Sequence, residues 1–152
     1  MTASSKPVSR VKRLAGRATL ILGGLFALIQ LLPYGRNHSN PPVIAEPRWD
    51  FPRTRDLAAR ACFDCHSNET RWPWYSHVAP VSWLVQRDVD QARRELNFSH
   101  WDRRQKRARK AAEEVEDGEM PLAGYLLGHP EARLSEAEKA DLVRGLRATF
   151  GD

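Results

Sequence analysis

The chain has one long apolar run near its N-terminus, and apolar residues recur at helical spacing in the rest of the chain. The run extends from Ala18 to Tyr34 without a charged residue and follows a basic leader. At ~1.5 Å per helical residue its length is about that of a bilayer crossing, and a basic leader favours the cytoplasmic side. This pattern predicts a basic cytoplasmic leader over residues 1–17 and a transmembrane signal-anchor helix over residues 18–34, with the lipid bilayer as its partner.

Two other interpretations of this run are a cleaved signal peptide and a buried core helix. A cleavage site has small residues at positions −3 and −1, whereas bulky residues and prolines follow the run here. We therefore favour an uncleaved anchor, which places the domain that follows on the outer side of the membrane.

Prolines are frequent in residues 35–53, where they oppose helix and favour an extended spacer. In the domain that follows, residues 54–152, four segments have helical spacing or helix caps. The residues that mark these segments are, in chain order, Leu57, Ala58, Ala61, Cys62 and Cys65; Pro80, Val81, Val85, Val89, Ala92 and Leu96; Ser99, Asp102 and Gly118; and Ser135, Glu138, Leu142, Val143, Leu146 and Phe150. Because no segment alternates with a period of two residues, we predict an all-α domain of about four helices.

The formal net charge of +5 comes from the leader, which contains five basic residues and no acidic residue. The remainder of the chain is neutral, so the charge gives no indication of nucleic-acid binding. The basic run over residues 103–110 is interpreted first as a solvated face. The alternative is a docking surface for an acidic redox partner or for anionic lipid head groups.

The only two cysteines of the chain, Cys62 and Cys65, lie three positions apart and are followed at once by His66. This C-x-x-C-H pattern is the attachment motif of c-type haem. Two thiols at this spacing can reach the two vinyl groups on one edge of the porphyrin, and the adjacent imidazole can bind the iron. We therefore predict one covalent haem c, whose apolar ring would also supplement a core poor in large side chains.

A disulfide, a thioredoxin-like redox pair and a zinc site are the alternatives for these three residues. The redox pair normally follows a strand and opens a helix, and no such strand is predicted here. A zinc site needs two further cysteine or histidine ligands at regular spacing, which the sequence lacks. Haem attachment is the interpretation that we favour.

Met120 is the only methionine after the initiator, and it precedes a proline shortly after a glycine helix stop. A thioether is a soft ligand that, paired with histidine, raises the reduction potential of haem iron. We therefore predict His66 and Met120 as the two iron ligands. The alternatives are a core role for Met120 and a distal histidine, either His129, which is the leading rival, or His77 or His100.

The stretches CFDCHSNETRWPWYSHVAPVSWLVQRDV, ELNFSHW and GEMPLAGYLLGHPEARLSEAEK resemble the small bacterial haem-binding domain family, a membrane-anchored relative of single-haem cytochromes c. The resemblance covers residues 35–150. It implies a cytochrome c-like helical fold, with Cys62 and Cys65 as attachment residues, His66 as proximal ligand and Met120 as distal ligand. Together with the anchor, it places the haem domain on the periplasmic side of the bacterial cytoplasmic membrane.

Four aromatic residues follow the haem motif closely: Trp72, Trp74, Tyr75 and Trp83. The proline after Trp72 forces an extended backbone that aims the neighbouring rings. We expect these rings to line the haem, with a ring N–H or O–H, and Arg71, reaching a propionate. The alternative is that they form the ordinary core of the domain.

Two functions in different classes fit these residues. A closed His/Met haem suits a non-enzymatic electron carrier with a redox partner protein in or at the membrane. A haem-based sensor or a peroxidase-like enzyme would need an open or displaceable sixth position. The sequence favours the electron carrier because a distal ligand is available and no distal acid–base pair lies close to the haem motif.

Overall fold

A computed structural model describes residues 8–151, and helices are the only regular elements in that range. The α-helices are α1 (Val8–Ile29), α2 (Pro52–Ala61), α3 (Phe63–His66), α4 (Val81–Glu95), α5 (Ala111–Glu116), α6 (Ala123–Gly128) and α7 (Glu136–Phe150). Short 3₁₀ turns occupy Trp74–His77, Ala108–Lys110 and Pro130–Ala132. Between residues 8 and 151 the only β pairing is an isolated parallel bridge between Ala45 and His100. The all-α class is therefore confirmed; residues 1–7 of the predicted leader lie outside the described residues.

The predicted transmembrane helix over residues 18–34 is wrong. Helix α1 begins within the basic leader and ends at Ile29, so its uncharged part from Ala18 is ~18 Å long, against ~30 Å of hydrocarbon. Among residues 8–151, no helix combines the length and the apolar character needed to cross a membrane. The predicted anchor was one of the reasons for expecting a periplasmic location, and that location stays a prediction.

The apolar run does not form one continuous helix, because its last residues turn towards the domain. The Gln30 side-chain amide pairs with the backbone of Ala79, donating to its carbonyl oxygen at 3.0 Å and accepting from its N–H at 3.0 Å. Gly35 has a φ of +76°, and a Cβ there would lie 2.6 Å from the carbonyl oxygen of Ser82. This close approach requires glycine and fixes the chain against the start of α4.

The segment after Gly35 is irregular as predicted, but it packs on the domain instead of extending away from it. The backbone N–H of Ile44 donates to the carbonyl of Ser99 at 2.9 Å, and the Asn40 side chain donates to Thr70. Trp49 packs in the core, with its ring 5.3 Å from that of Phe98. The segment therefore contributes to the fold.

The second and fourth predicted helices of the domain are confirmed. Helix α4 begins directly after Pro80 and buries Val89, and the chain buries Leu96 just beyond its end. Helix α7 begins with a capping box in which Ser135 and Glu138 exchange side-chain and backbone hydrogen bonds. The buried face of α7 contains Leu142, Val143 and Leu146.

The third predicted helix, capped by Ser99 and Asp102, is wrong over most of its length. Residues 96–107 are irregular, and the α-helical part of this segment is limited to α5. The Phe98 N–H donates to the carbonyl of His66 at 2.8 Å, and the Ser99 hydroxyl accepts from Asn68. These tertiary bonds replace the helix, whose predicted end at Gly118 is confirmed by a φ of +77°.

The first predicted helix divides at Cys62 into α2 and α3. Helix α7 packs against α2 and α5, while α4 packs against α3 and the turn at Trp74–His77. The core between them contains aliphatic residues and a cluster of aromatic rings: Trp49, Phe63, Phe98, Trp101 and Phe150. This packing places the end of α2, the start of α3 and the chain around residue 120 at one cavity.

Candidate haem-binding site

A cavity of about 390 Å³ opens beside the core, and the predicted haem ligands lie in its lining. Cys62, Cys65 and His66 reach it from the junction of α2 and α3, and Met120 reaches it from the loop between α5 and α6. At this junction the Cys62 carbonyl accepts from both the Cys65 and the His66 N–H, at 3.2 and 2.8 Å. The chain thus brings together four residues from segments about 55 positions apart.

The two thiols are free and half-buried at the cavity. Burial raises the pKa of Cys62 to about 12 and, with the nearby Asp64 carboxylate as a second cause, that of Cys65 to about 11. Both groups are therefore neutral thiols near neutral pH. A thioredoxin-like pair needs a thiol with a lowered pKa, so the environment argues against that alternative.

His66 has one ring nitrogen committed to the backbone and one free to bind a ligand. Its Nδ1 lies 3.0 Å from the carbonyl oxygen of Leu96, which can only accept, so Nδ1 carries the hydrogen. Nε2 then holds the lone pair. Burial lowers the pKa of His66, which keeps the imidazole in the neutral form that binds metals.

Met120 is half-buried and packs against the hydrophobic core. Its backbone N–H donates to the carbonyl of Glu114 at 2.9 Å, which fixes the loop shortly after the end of α5. The cavity therefore contains two thiols, an imidazole nitrogen and a thioether, with both apolar and charged side chains around them. This donor set fits an iron porphyrin attached through sulfur and bound by nitrogen and sulfur ligands.

The haem-binding domain family model matches residues 24–148 of the chain. The chain belongs to the haem-binding domain family. No curated protein and no solved structure matches it. The match includes all of the cavity residues and the packed segment after Gly35, so the cavity lies within a haem-binding domain.

The structure of this haem-binding domain places the three rival histidines outside the cavity lining. His129 Nε2 lies 2.8 Å from the Tyr75 hydroxyl, and its Nδ1 lies 3.2 Å from Glu131 Oε1. His77 is exposed, and His100 lies beside Asp102 with 3.4 Å between Nδ1 and Oδ1. Of the candidate distal ligands, Met120 is the one that reaches the cavity.

The four aromatic residues expected to line the haem are also outside the cavity lining. Trp74 is 78% exposed, and Tyr75 bonds to His129. Trp72 stacks on His38, in the segment after α1, at a centroid distance of 4.6 Å. Trp83 is half-buried on α4, and its indole N–H has no partner within residues 8–151.

Two arginines lie in the cavity lining of the haem-binding domain, and they differ in their partners. Arg107 lies between two acids, with Nη1 3.4 Å from Glu114 and Nε 4.0 Å from Glu95. Arg87 is exposed, and its side chain has no ion-pair or hydrogen-bond partner in the part of the chain that the structure describes. A free guanidinium at the cavity suits the carboxylates of a haem.

Sequence reasoning missed Asp64 and Tyr125, which meet at the edge of the site. The Tyr125 hydroxyl donates to Asp64 Oδ2 at 2.8 Å, and Tyr125 lines the cavity. Asp64 lies inside the C-x-x-C-H motif, and Tyr125 lies five positions after Met120. Their positions beside predicted ligands are the features of the sequence that could have drawn attention to them.

Proposed function

We propose that the chain is a single-haem c-type protein that transfers electrons one at a time to and from a redox partner protein. The observation that carries this proposal is that Cys62, Cys65, His66 and Met120 line one cavity. Membership of the haem-binding domain family supports haem as the cofactor, and the residues at the cavity support the mode of attachment.

In this proposal the two cysteines hold the haem covalently. Each cysteine S–H would add across one vinyl C=C, so that sulfur would bond to one carbon and the thiol hydrogen would go to the other. The addition releases no leaving group and needs no oxidant. It does require reduced cysteines, and both thiols are free in the structure.

His66 Nε2 and the Met120 sulfur are the proposed iron ligands. The hydrogen bond from His66 Nδ1 to Leu96 fixes the ring, sets its tautomer and increases the basicity of Nε2. A bound haem supplies an iron that alternates between the ferrous and ferric states. If His66 and Met120 both bind the iron, they would leave no open position, which suits electron transfer more than catalysis.

The test is to produce the protein with haem maturation and extract it with acid and organic solvent. We expect the haem to remain with the denatured chain of the wild type and to be lost from Cys62→Ala/Cys65→Ala. Replacing the exposed, cavity-remote Trp74 with Ala is the matched control and should leave the attachment intact. Complete extraction of haem from matured wild-type protein would exclude covalent attachment.

A further inference from the structure

Asp64 is a buried carboxylate between the two cysteines, and it has a complete set of partners. Its side chain is 8% exposed. Oδ1 accepts from the Arg71 backbone N–H at 3.0 Å and from its Nε at 3.3 Å, and Oδ2 accepts from the Tyr125 hydroxyl at 2.8 Å. A buried charge is stable only with such compensation, so losing one partner is costly.

Helix α6, which contains Tyr125, has few other attachments to the domain. None of its residues is buried, and among the helical elements of the described chain its backbone lies close only to that of the Pro130–Ala132 turn. The contacts that attach it are the Tyr125 bond to Asp64, the stacking of Tyr125 on His129, the close approach of Gly128 to Tyr75 and a bond of 3.3 Å from Arg133 to the Leu126 carbonyl. The position of α6 therefore depends strongly on Tyr125.

Met120 lies in a short chain segment that two hydrogen bonds attach to the rest of the domain. The first is its own N–H bond to Glu114, and the second is the bond of Tyr125 to Asp64. Burial and the Asp64 carboxylate raise the pKa of Tyr125, so its hydroxyl remains a donor. Asp64 itself lies in α3, the short helix that also contains Cys65 and His66.

We propose that the hydrogen bond between Tyr125 and Asp64, called the latch below, holds residues 119–128 against α3, the helix that contains Cys65 and His66. With the latch closed, Met120 stays at the cavity. With the latch open, residues 119–128 move away and the cavity admits an external ligand. Tyr125 is thus a positioning residue that determines whether the site is closed; this step rests on the proposed ligation by Met120.

The first test is hydrogen exchange of the holoprotein with the variant Tyr125→Phe, which removes only the latch hydroxyl. We expect the amides of residues 119–128 to exchange about tenfold faster, because the hydroxyl bonds to a charged group. The control is Tyr75→Phe, which removes a phenol hydroxyl from the same neighbourhood but leaves the latch bond. Equal exchange in wild type and Tyr125→Phe, or an equal increase in both variants, would overturn the latch.

The second test measures carbon monoxide binding to the ferrous holoprotein. Tyr125→Phe should bind at least tenfold faster than wild type and than Tyr75→Phe, and it should lose part of the far-red absorption band of thioether–iron ligation. Asp64→Asn, which replaces the charged acceptor by a neutral one, should also speed carbon monoxide binding, and the double variant should add little to the rate of Tyr125→Phe, because the two residues hold the segment through a bond that they share. Additive effects would contradict the latch.

Failure of the latch and failure of Met120 ligation give different results. If Met120→Ala leaves the spectrum unchanged, the proposed distal ligand is wrong, and hydrogen exchange still decides whether Tyr125 holds the segment. If Met120→Ala changes the spectrum but Tyr125→Phe changes neither exchange nor carbon monoxide binding, the ligand is right and the latch is wrong.

Discussion

His66 Nδ1 donates a hydrogen bond of 3.0 Å to the carbonyl oxygen of Leu96, the first residue after α4. The bond connects the haem motif to a residue 30 positions later in the chain. It leaves the lone pair of Nε2 free, and the Phe98 N–H bond to the His66 carbonyl fixes the same residue from its backbone. The end of α4 thus orients the predicted proximal ligand.

This geometry predicts that His66 cannot be replaced without losing the iron site. His66→Ala should reduce haem incorporation about tenfold or more, since losing only a hydrogen-bond partner of a metal ligand typically costs about 10–100-fold in metal affinity. The measurement is haem content per chain after maturation. His100→Ala is the control, because His100 lies outside the cavity lining, and it should keep full haem content. Normal incorporation by His66→Ala would contradict the assignment.

Met120→Ala should open the sixth position of the iron. We expect a lower reduction potential, loss of the thioether–iron absorption band and rapid carbon monoxide binding to the ferrous protein. His129→Ala should leave most of the band in place, because both ring nitrogens of His129 already have partners outside the cavity and the bond of Tyr125 to Asp64 remains. Rapid carbon monoxide binding by wild type, with a spectrum indifferent to Met120→Ala, would favour the sensor or peroxidase class.

Local features of the sequence were sufficient to predict much of this fold. The Ser135–Glu138 capping box and the glycine stop at residue 118 depend on neighbouring residues alone, and both are present. The haem motif likewise needs only a tight turn, which the Cys62 carbonyl closes by accepting from Cys65 and His66.

The features that sequence reasoning missed depend on distant partners. Residues 96–107 are not helical because their polar groups bind distant parts of the chain. Asn97 and Ser99 are buried and form hydrogen bonds with Asn68, and the Phe98 N–H donates to the His66 carbonyl. The Tyr125–Asp64 bond joins positions 61 residues apart. Helix α1 ends before Pro33, and apolar composition alone did not reveal where the helix would stop.

Gly145→Ala should destabilise the crossing of α2 and α7. A Cβ at Gly145 would lie 2.8 Å or less from three atoms of the Thr54 side chain, and Thr54 is itself buried. We expect the free energy of unfolding to fall by about 1–3 kcal/mol, measured by urea denaturation. Adding Thr54→Ala to Gly145→Ala should restore part of the lost free energy of unfolding. Gly124→Ala, which meets open space, should not lower stability.

The Glu138 carboxylate should make stability depend on acid pH. Bonds from the Ser135 N–H and hydroxyl, together with Arg60, lower its pKa from 4.5 to about 2. Its contribution is therefore complete above pH 4.5 and is lost as the pH falls towards 2. Glu138→Gln should be less stable than wild type at pH 7, and the difference should shrink between pH 4.5 and pH 2. Glu136→Gln is the control, and an equal pH profile for both variants would contradict this assignment.

The mass of the intact chain, denatured after maturation with haem, distinguishes covalent from non-covalent haem binding. We expect the mass of the wild-type chain to exceed that of the polypeptide by one haem, since addition of two thiols to vinyl groups loses no atoms. Cys62→Ala/Cys65→Ala should show the mass of the polypeptide alone. A matured wild-type chain that binds haem in its native state but shows only the polypeptide mass after denaturation would contradict covalent attachment.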